Sequence, residues 1–123
     1  MLVLIVDDCL DTCDVLRTYL QLDMHEVHCA LTSHAALQFV AEHKYQVILM
    51  DLWMPDMDGY ALAKAVRRLY SHQHEARIIA LSGAPYDPSQ PCAKAAAFDG
   101  FLSKPVEMGG LVRSLAVASG AAH

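Results

Sequence analysis

Two kinds of apolar pattern take turns along this chain. Unbroken runs such as Leu2-Val3-Leu4-Ile5-Val6, Val47-Ile48-Leu49-Met50 and Ile78-Ile79-Ala80-Leu81 are separated by stretches whose apolar residues recur every three or four positions. A short continuous run fits a strand covered on both faces, and the wider spacing fits a helix with one buried stripe. Their alternation predicts an α/β fold with a parallel sheet. The first strand is Leu2 to Val6, and Cys9, Cys13, Leu16 and Leu20 carry a first helix to about Leu22. Val27 to Leu31 makes a short, mixed second strand. Thr32 or Ser33 caps a second helix, whose stripe is Ala36, Leu37, Val40 and Ala41. The third strand runs to Met50, and Trp53 to Gly59 is a loop punctuated by Pro55 and Gly59.

The third helix turns Leu62, Ala65, Val66 and Leu69 inward and Lys64, Arg67 and Arg68 toward water. Arg77 to Leu81 is the fourth strand. Pro85, Pro88 and Pro91 make the next loop long and its helix short, about Cys92 to Phe98. Phe101-Leu102-Ser103 is the fifth strand. A last helix near Glu107 to Ala118 starts weakly, because Gly109 and Gly110 each cost roughly 1 kcal/mol there. Residues 118–123 read as a frayed tail.

The polar residues that end these strands carry the chemistry. Asp7-Asp8 follows the first strand, Asp51 the third, Ser82-Gly83 the fourth and Lys104-Pro105 the fifth. Taken singly, each is an ordinary turn or cap. In a parallel sheet, however, the carboxyl ends of the strands share one edge, where open α/β sheets bind ligands. Carboxylates gathered there repel, so they hold protons or a cation. A hard divalent ion with oxygen ligands, Mg²⁺ above all, suits them, and a neighbouring ammonium makes room for a phosphoryl group.

Composition narrows the choice. At 123 residues and 54% hydrophobic, the chain makes a single domain with a sizeable core. Its net charge of −5 argues against nucleic acid as a direct partner. No apolar run is long enough to span a membrane, and Met1 leads into a strand without a signal-peptide pattern. Cys9, Cys13, Cys29 and Cys92 form no C-x-x-C pair, which favours buried structural thiols and a reducing cytoplasm. His25 with His28, and His72 with His74, read as surface histidines, and Arg67-Arg68 as a solvated helix face.

Taken in order, Val6-Asp7-Asp8, Met50-Asp51-Leu52-Trp53-Met54-Pro55-Asp56-Met57-Asp58-Gly59, Ala80-Leu81-Ser82-Gly83 and Phe98-Asp99-Gly100-Phe101-Leu102-Ser103-Lys104-Pro105 resemble the receiver domain of bacterial two-component response regulators. The resemblance spans nearly all of the chain. It implies a flavodoxin-like, doubly wound sheet of five parallel strands in the order 2-1-3-4-5, flanked by five helices. It also implies that Asp51 accepts a phosphoryl group from a phosphohistidine on a histidine kinase or histidine phosphotransfer protein. Asp8, Asp51 and the Trp53 backbone carbonyl would hold Mg²⁺, or Mn²⁺ in its place, with Asp7 acting through a water. Lys104 would pair with Asp51 before transfer and with a phosphoryl oxygen afterwards. Ser82, with the Trp53 and Gly83 amides, would complete the phosphate cradle, and Pro105 would follow a cis peptide. Ser82 and Phe101 would form the switch: the hydroxyl moves, the ring turns inward, and the surface of the fourth helix, fifth strand and fifth helix changes for a downstream effector or a homodimer.

Some positions depart from the family's usual pattern. Phe101 has no hydroxyl to bond in one rotamer, and Trp53 is bulky for its place two residues after Asp51. In the family, that position and the one held here by Ala84 influence how fast the acyl phosphate hydrolyses. The expected function is a Mg²⁺-dependent phosphoacceptor that catalyses only its own phosphorylation and dephosphorylation, either free-standing or part of a larger protein such as a hybrid sensor kinase. Three alternatives remain. A receiver that binds partners without being phosphorylated is the first. An aspartyl-phosphate hydrolase of the haloacid dehalogenase type would need an aspartate where Trp53 stands, and a flavodoxin-like FMN carrier would need a Ser/Thr/Gly-rich loop where Asp7-Asp8-Cys9-Leu10-Asp11 stands.

Overall fold

The structure is a computed structural model that describes residues 1–52, 54–56, 59–70, 76–82 and 98–118, with side chains except at 82, 114 and 116–118. The elements are β1 (Leu2–Val6), α1 (Leu10–Leu22), β2 (Glu26–Ala30), α2 (Ser33–Glu42), β3 (Val47–Asp51), α3 (Gly59–Tyr70), β4 (Arg77–Ser82), β5 (Gly100–Ser103) and α4 (Met108–Ala118). All five strands join one sheet in the order β2-β1-β3-β4-β5, and every pairing is parallel. The short helix expected over Cys92 to Phe98 lies, but for Phe98, outside the described residues.

Alternation along each strand divides the core into two layers. Leu4, Val6, Ile48, Met50 and Ile78 face α2 and α3, where they meet Ala36, Val40, Leu62 and Val66. Val3, Ile5, Val47, Leu49, Ile79 and Leu81 face α1 and α4, where they meet Leu16, Leu20, Leu111 and Leu115. Both faces of the central strands are therefore dry, which is why their sequences read as unbroken apolar runs.

Helix ends and faces depart from the periodic reading in four places. Leu69 is 51% exposed, because Tyr70 takes the inward position at the end of α3. Ala41 is likewise exposed at the end of α2. Arg67 is no solvated side chain: it donates to the Ala76 carbonyl oxygen at 2.6 Å and pairs with Asp99. Cys9, expected in the core, is exposed at the N-cap of α1, four residues before the buried stripe begins at Cys13.

A polar buttress closes the amino edge of the sheet. The Tyr70 hydroxyl donates to the His43 carbonyl oxygen at 2.8 Å and accepts from the Tyr45 amide at 3.0 Å. Tyr45, fully buried, shares a 2.7 Å hydrogen bond with His28 Nδ1. His28 and His25 are thus half-buried and bonded, not free surface groups, His25 lying 3.0 Å from both the Met1 amino group and Asp23.

Candidate functional site

The carboxyl edge gathers the charged residues. Asp7 ends β1 and is fully buried, Asp51 ends β3 and is 7% exposed, and Asp8 is exposed beside them. One carboxylate oxygen from each of the three lies within 4.8 Å of the others. Lys104, just past β5, brings its ammonium to 2.7 Å from Asp7 Oδ2 and 3.5 Å from Asp51 Oδ2. The sequence-predicted quartet Asp7, Asp8, Asp51 and Lys104 is therefore assembled from three strand ends.

The ammonium sits closer to Asp7 than to Asp51, its expected partner, and the reason lies in burial. Asp7 Oδ1 accepts the Cys9 amide at 2.9 Å, but Oδ2 takes no hydrogen bond of good geometry and is balanced by Lys104. A buried carboxylate oxygen without that cation would be costly. Burial works against the Lys104 charge, but Asp7 first and Asp51 second outweigh it and hold the ammonium above the ordinary lysine range. The Lys104–Pro105 peptide is cis.

Local sequence explains how the edge is held. Leu52 continues the β3 ladder by donating to Leu81 at 3.2 Å, and Gly59 donates to the Leu52 carbonyl oxygen at 2.8 Å. A Cβ at position 59 would sit 2.7 Å from the Asp51 carbonyl oxygen and 2.8 Å from Leu52 Cα, so only glycine lets α3 start against the end of β3. The Asp56 carboxylate accepts the Ser33 amide at 3.0 Å and the His34 amide at 3.3 Å, docking the loop after β3 onto the N-terminus of α2. Burial raises the Asp56 carboxyl, yet these amide bonds prevail and hold it below its ordinary value. Thr32 completes that helix end by accepting the Ala35 amide at 3.0 Å.

Ser82 ends β4 in register with Ser103, one residue past the Asp51 and Leu81 pairing. Its hydroxyl lies outside the described residues, as do Trp53, Gly83 and Ala84. Phe101 lies on β5 in register with Ala80, half-buried, with its ring 5.5 Å from Phe98, which in turn stacks edge-on against Tyr60. Asp99, which strand patterning passed over, pins the start of β5: its carboxylate takes the Ile78 amide at 2.8 Å and pairs with Arg67. The one advance sign was an aspartate directly before the glycine that opens β5.

All ligand atoms of the acidic cluster are carboxylate oxygens, and the Lys104 ammonium faces two of the three carboxyl groups. That donor set suits a hard divalent cation. A parallel, doubly wound sheet with such a cluster at its carboxyl edge defines an α/β domain whose ligand site lies where the strands end.

Comparison with known proteins makes the class specific. The chain belongs to the response regulator receiver domain family, whose sequence model matches residues 3–116, and so is a receiver domain of two-component signalling. Regulatory protein AtoC of Escherichia coli strain K12 is 33% identical over 107 residues, a match that covers 86% of this chain and 22% of AtoC. An uncharacterized 14.6 kDa protein of Leptolyngbya boryana is 32% identical over 111 residues, covering 90% of this chain and 84% of its own. Among solved structures, chemotaxis protein CheY4 of Vibrio cholerae superposes with a TM-score of 0.85 at 28% identity, over 95% of this chain and 97% of that one. The receiver domain of Saccharomyces cerevisiae Ssk1, crystallised with the histidine phosphotransfer protein Ypd1, gives 0.85 at 23% identity over 94% and 86%. Among the described residues no helix is long and apolar enough to cross a membrane.

Proposed function

We propose that Asp51 accepts a phosphoryl group from a phosphohistidine, in a Mg²⁺-dependent transfer that the domain catalyses on itself. The observation that carries this reading is the convergence of Asp7, Asp8 and Asp51 with the Lys104 ammonium. Phosphoryl transfer asks for in-line positioning and charge neutralisation more than for proton handling, and the charged groups at this edge suit the second. An Asp51 carboxylate oxygen forms the new bond to phosphorus while the bond to the donor nitrogen breaks. Lys104, already 3.5 Å from Asp51, neutralises a phosphoryl oxygen. Asp8 and Asp51, with the Trp53 carbonyl, would hold Mg²⁺, which supplies further positive charge to the phosphoryl oxygens. Asp7 keeps Lys104 aimed from below. Ser82 and the amides of Trp53 and Gly83 would take the remaining phosphoryl oxygens.

A groove of about 490 Å³ supports a protein as the phosphodonor. Lined by Asp11, Thr12, Val15, Tyr19, Lys104 and Val106, it opens beside the lysine, with Leu10 and Val15 exposed next to it. A histidine kinase or a histidine phosphotransfer protein, the kind of partner crystallised with the Ssk1 receiver, fits that role. The output would pass through Ser82 and the Phe101 region to an effector or a second copy of the chain in the cytoplasm.

The test is acetyl phosphate added with and without Mg²⁺, read by intact mass. The expected result is one phosphoryl adduct that needs Mg²⁺ and is lost in Asp51→Asn. An adduct retained in Asp51→Asn overturns the assignment of Asp51. Absence of any adduct, with a cognate phosphodonor protein also tried, favours a receiver that only binds partners.

A further inference from the structure

Between α2 and α3, on the face of the sheet opposite α1 and α4, runs an open groove of about 550 Å³. Leu37 and Ala41 of α2 and Ala65 and Leu69 of α3 give it an apolar lining, and His34 and Arg68 stand at its rim. Leu69 is 51% exposed, Ala41 is exposed and Leu37 is half-buried, so apolar side chains of both helices face water here. The groove meets a second hollow of about 270 Å³ at Ala41 and Leu69, where Glu42 and Lys44 sit. With ten residues in α2 and twelve in α3, the pair is long enough to seat about three turns of a further helix.

Charge on the rim says what kind of helix fits. The chain carries a net charge of −5, yet among the described residues no carboxylate lines this groove. The Asp56 carboxylate, at the start of α2, is already held by the Ser33 and His34 amides. Arg68 is exposed, and Lys64, one turn earlier on α3, is exposed as well. Elsewhere Arg17 pairs with Asp14, Arg67 with Asp99 and Lys104 with Asp7, whereas among the described residues Lys64 and Arg68 have no such partner.

We propose that the α2–α3 groove docks an amphipathic helix of a partner protein, which lays a leucine-type stripe on Leu37, Ala65 and Leu69 and sets glutamate or aspartate side chains against Lys64 and Arg68. The small side chains of Ala41 and Ala65 let that helix approach closely. A second copy of the chain is a poorer occupant. Two-fold pairing of two such grooves gathers the cations of both copies, with no lining carboxylate to answer them. Because α1 and α4 cover the other face of the sheet, the docked helix leaves the groove beside Lys104 open.

The test uses dye-labelled peptides of about 18 residues, long enough to form a helix and sharing one leucine stripe. Their flanking residues are all glutamate, all glutamine or all lysine, and fluorescence anisotropy reads their binding to the whole chain. The glutamate peptide should bind roughly tenfold more tightly than the lysine peptide. Leu69→Ser should weaken it roughly tenfold, whereas Leu22→Ser, at an exposed leucine elsewhere, leaves it unchanged. Lys64→Glu combined with Arg68→Glu should invert the order of the glutamate and lysine peptides, a gain of binding that misfolding cannot produce. Equal binding of all the peptides, a lysine preference in the native chain, or no binding overturns the proposal. Binding to anionic lipid vesicles that Arg68→Glu abolishes overturns it in favour of a membrane surface. A dimer in sedimentation velocity that Leu69→Ser dissolves overturns it in favour of a second copy.

Discussion

Lys104 reaches past Asp51 to Asp7: its Nζ lies 2.7 Å from Asp7 Oδ2 and 3.5 Å from Asp51 Oδ2. Among the described residues, the lysine is the only close compensation at that buried carboxylate oxygen. Removing the cation leaves Asp7 uncompensated in a dry site, so Lys104→Met should cost about 2–3 kcal/mol of stability. Asp7→Asn should cancel most of that loss in the double variant, and Asp51→Asn much less. Urea unfolding of the native chain and the five variants measures both couplings. A larger coupling to Asp51 would contradict the geometry.

The same pair sets a pH dependence on the alkaline side. Burial lowers the lysine pKa, but Asp7 and then Asp51 raise it further, so its folded value lies above the unfolded one. A raised value means the ammonium contributes its full stability below the unfolded lysine pKa of about 10.4 and loses it as pH climbs through the folded value. The stability gap between the native chain and Lys104→Met should thus stay level from about pH 7 to pH 10 and narrow above that. Chemical denaturation at a series of pH values reads it directly, and a gap that widens with pH would reverse the sign argued here.

Gly59 makes a sharper structural prediction. Gly59→Ala places a methyl 2.7 Å from the Asp51 carbonyl oxygen and 2.8 Å from Leu52 Cα, both backbone atoms that cannot swing aside. The cost should be about 2–3 kcal/mol, with phosphoryl uptake from acetyl phosphate slowed roughly tenfold or more as Asp51 shifts. Gly100→Ala is the control, since its Cβ would meet only Arg77 Nη2 at 3.7 Å and Ile79 Cγ1 at 3.9 Å. Equal losses in the two variants would show that the close approach at Gly59 is not the cause.

At the opposite edge of the sheet, Tyr70→Phe deletes one oxygen that serves two backbone groups, the Tyr45 amide and the His43 carbonyl. Losing these two hydrogen bonds next to a buried ring should cost about 2 kcal/mol. Phosphoryl uptake should be unchanged, because the buttress lies before β3 begins and Asp51 lies where it ends. Thermal unfolding and the acetyl phosphate assay, run on the same sample, separate the two effects.

What the sequence made readable follows from how local each feature is. Asp7, Asp8, Asp51 and Lys104 announced themselves because each ends an apolar run, and parallel strands bring run ends to one edge. The two-layer core followed from the same runs, whose alternate residues must face opposite sides. The links between distant segments were hidden. Arg67 reads as one of two surface arginines until Asp99, 32 residues later, is brought against it, and Asp56 gives no sign that it will meet Ser33. Cys9 fits the helical period of Cys13 and Leu16, yet it falls at the cap, outside the first turn, where periodicity no longer decides burial.

Metal linkage gives the test that needs no phosphodonor. Three carboxylate groups within 4.8 Å, with one ammonium among them, gain from a divalent cation that binds the folded chain and not the unfolded one. At one hundred times its Kd, such an ion adds about 2.7 kcal/mol to stability. Mg²⁺ should therefore raise the unfolding midpoint in a saturable way, beyond a NaCl control of equal ionic strength. Asp8→Asn should keep the fold, since Asp8 is exposed, and lose most of that rise. Lys104→Met should keep a Mg²⁺ response while starting from a lower midpoint, because it removes the cation that competes for the same carboxylates. A Mg²⁺ response that survives in Asp8→Asn at full size would move the ion away from this edge.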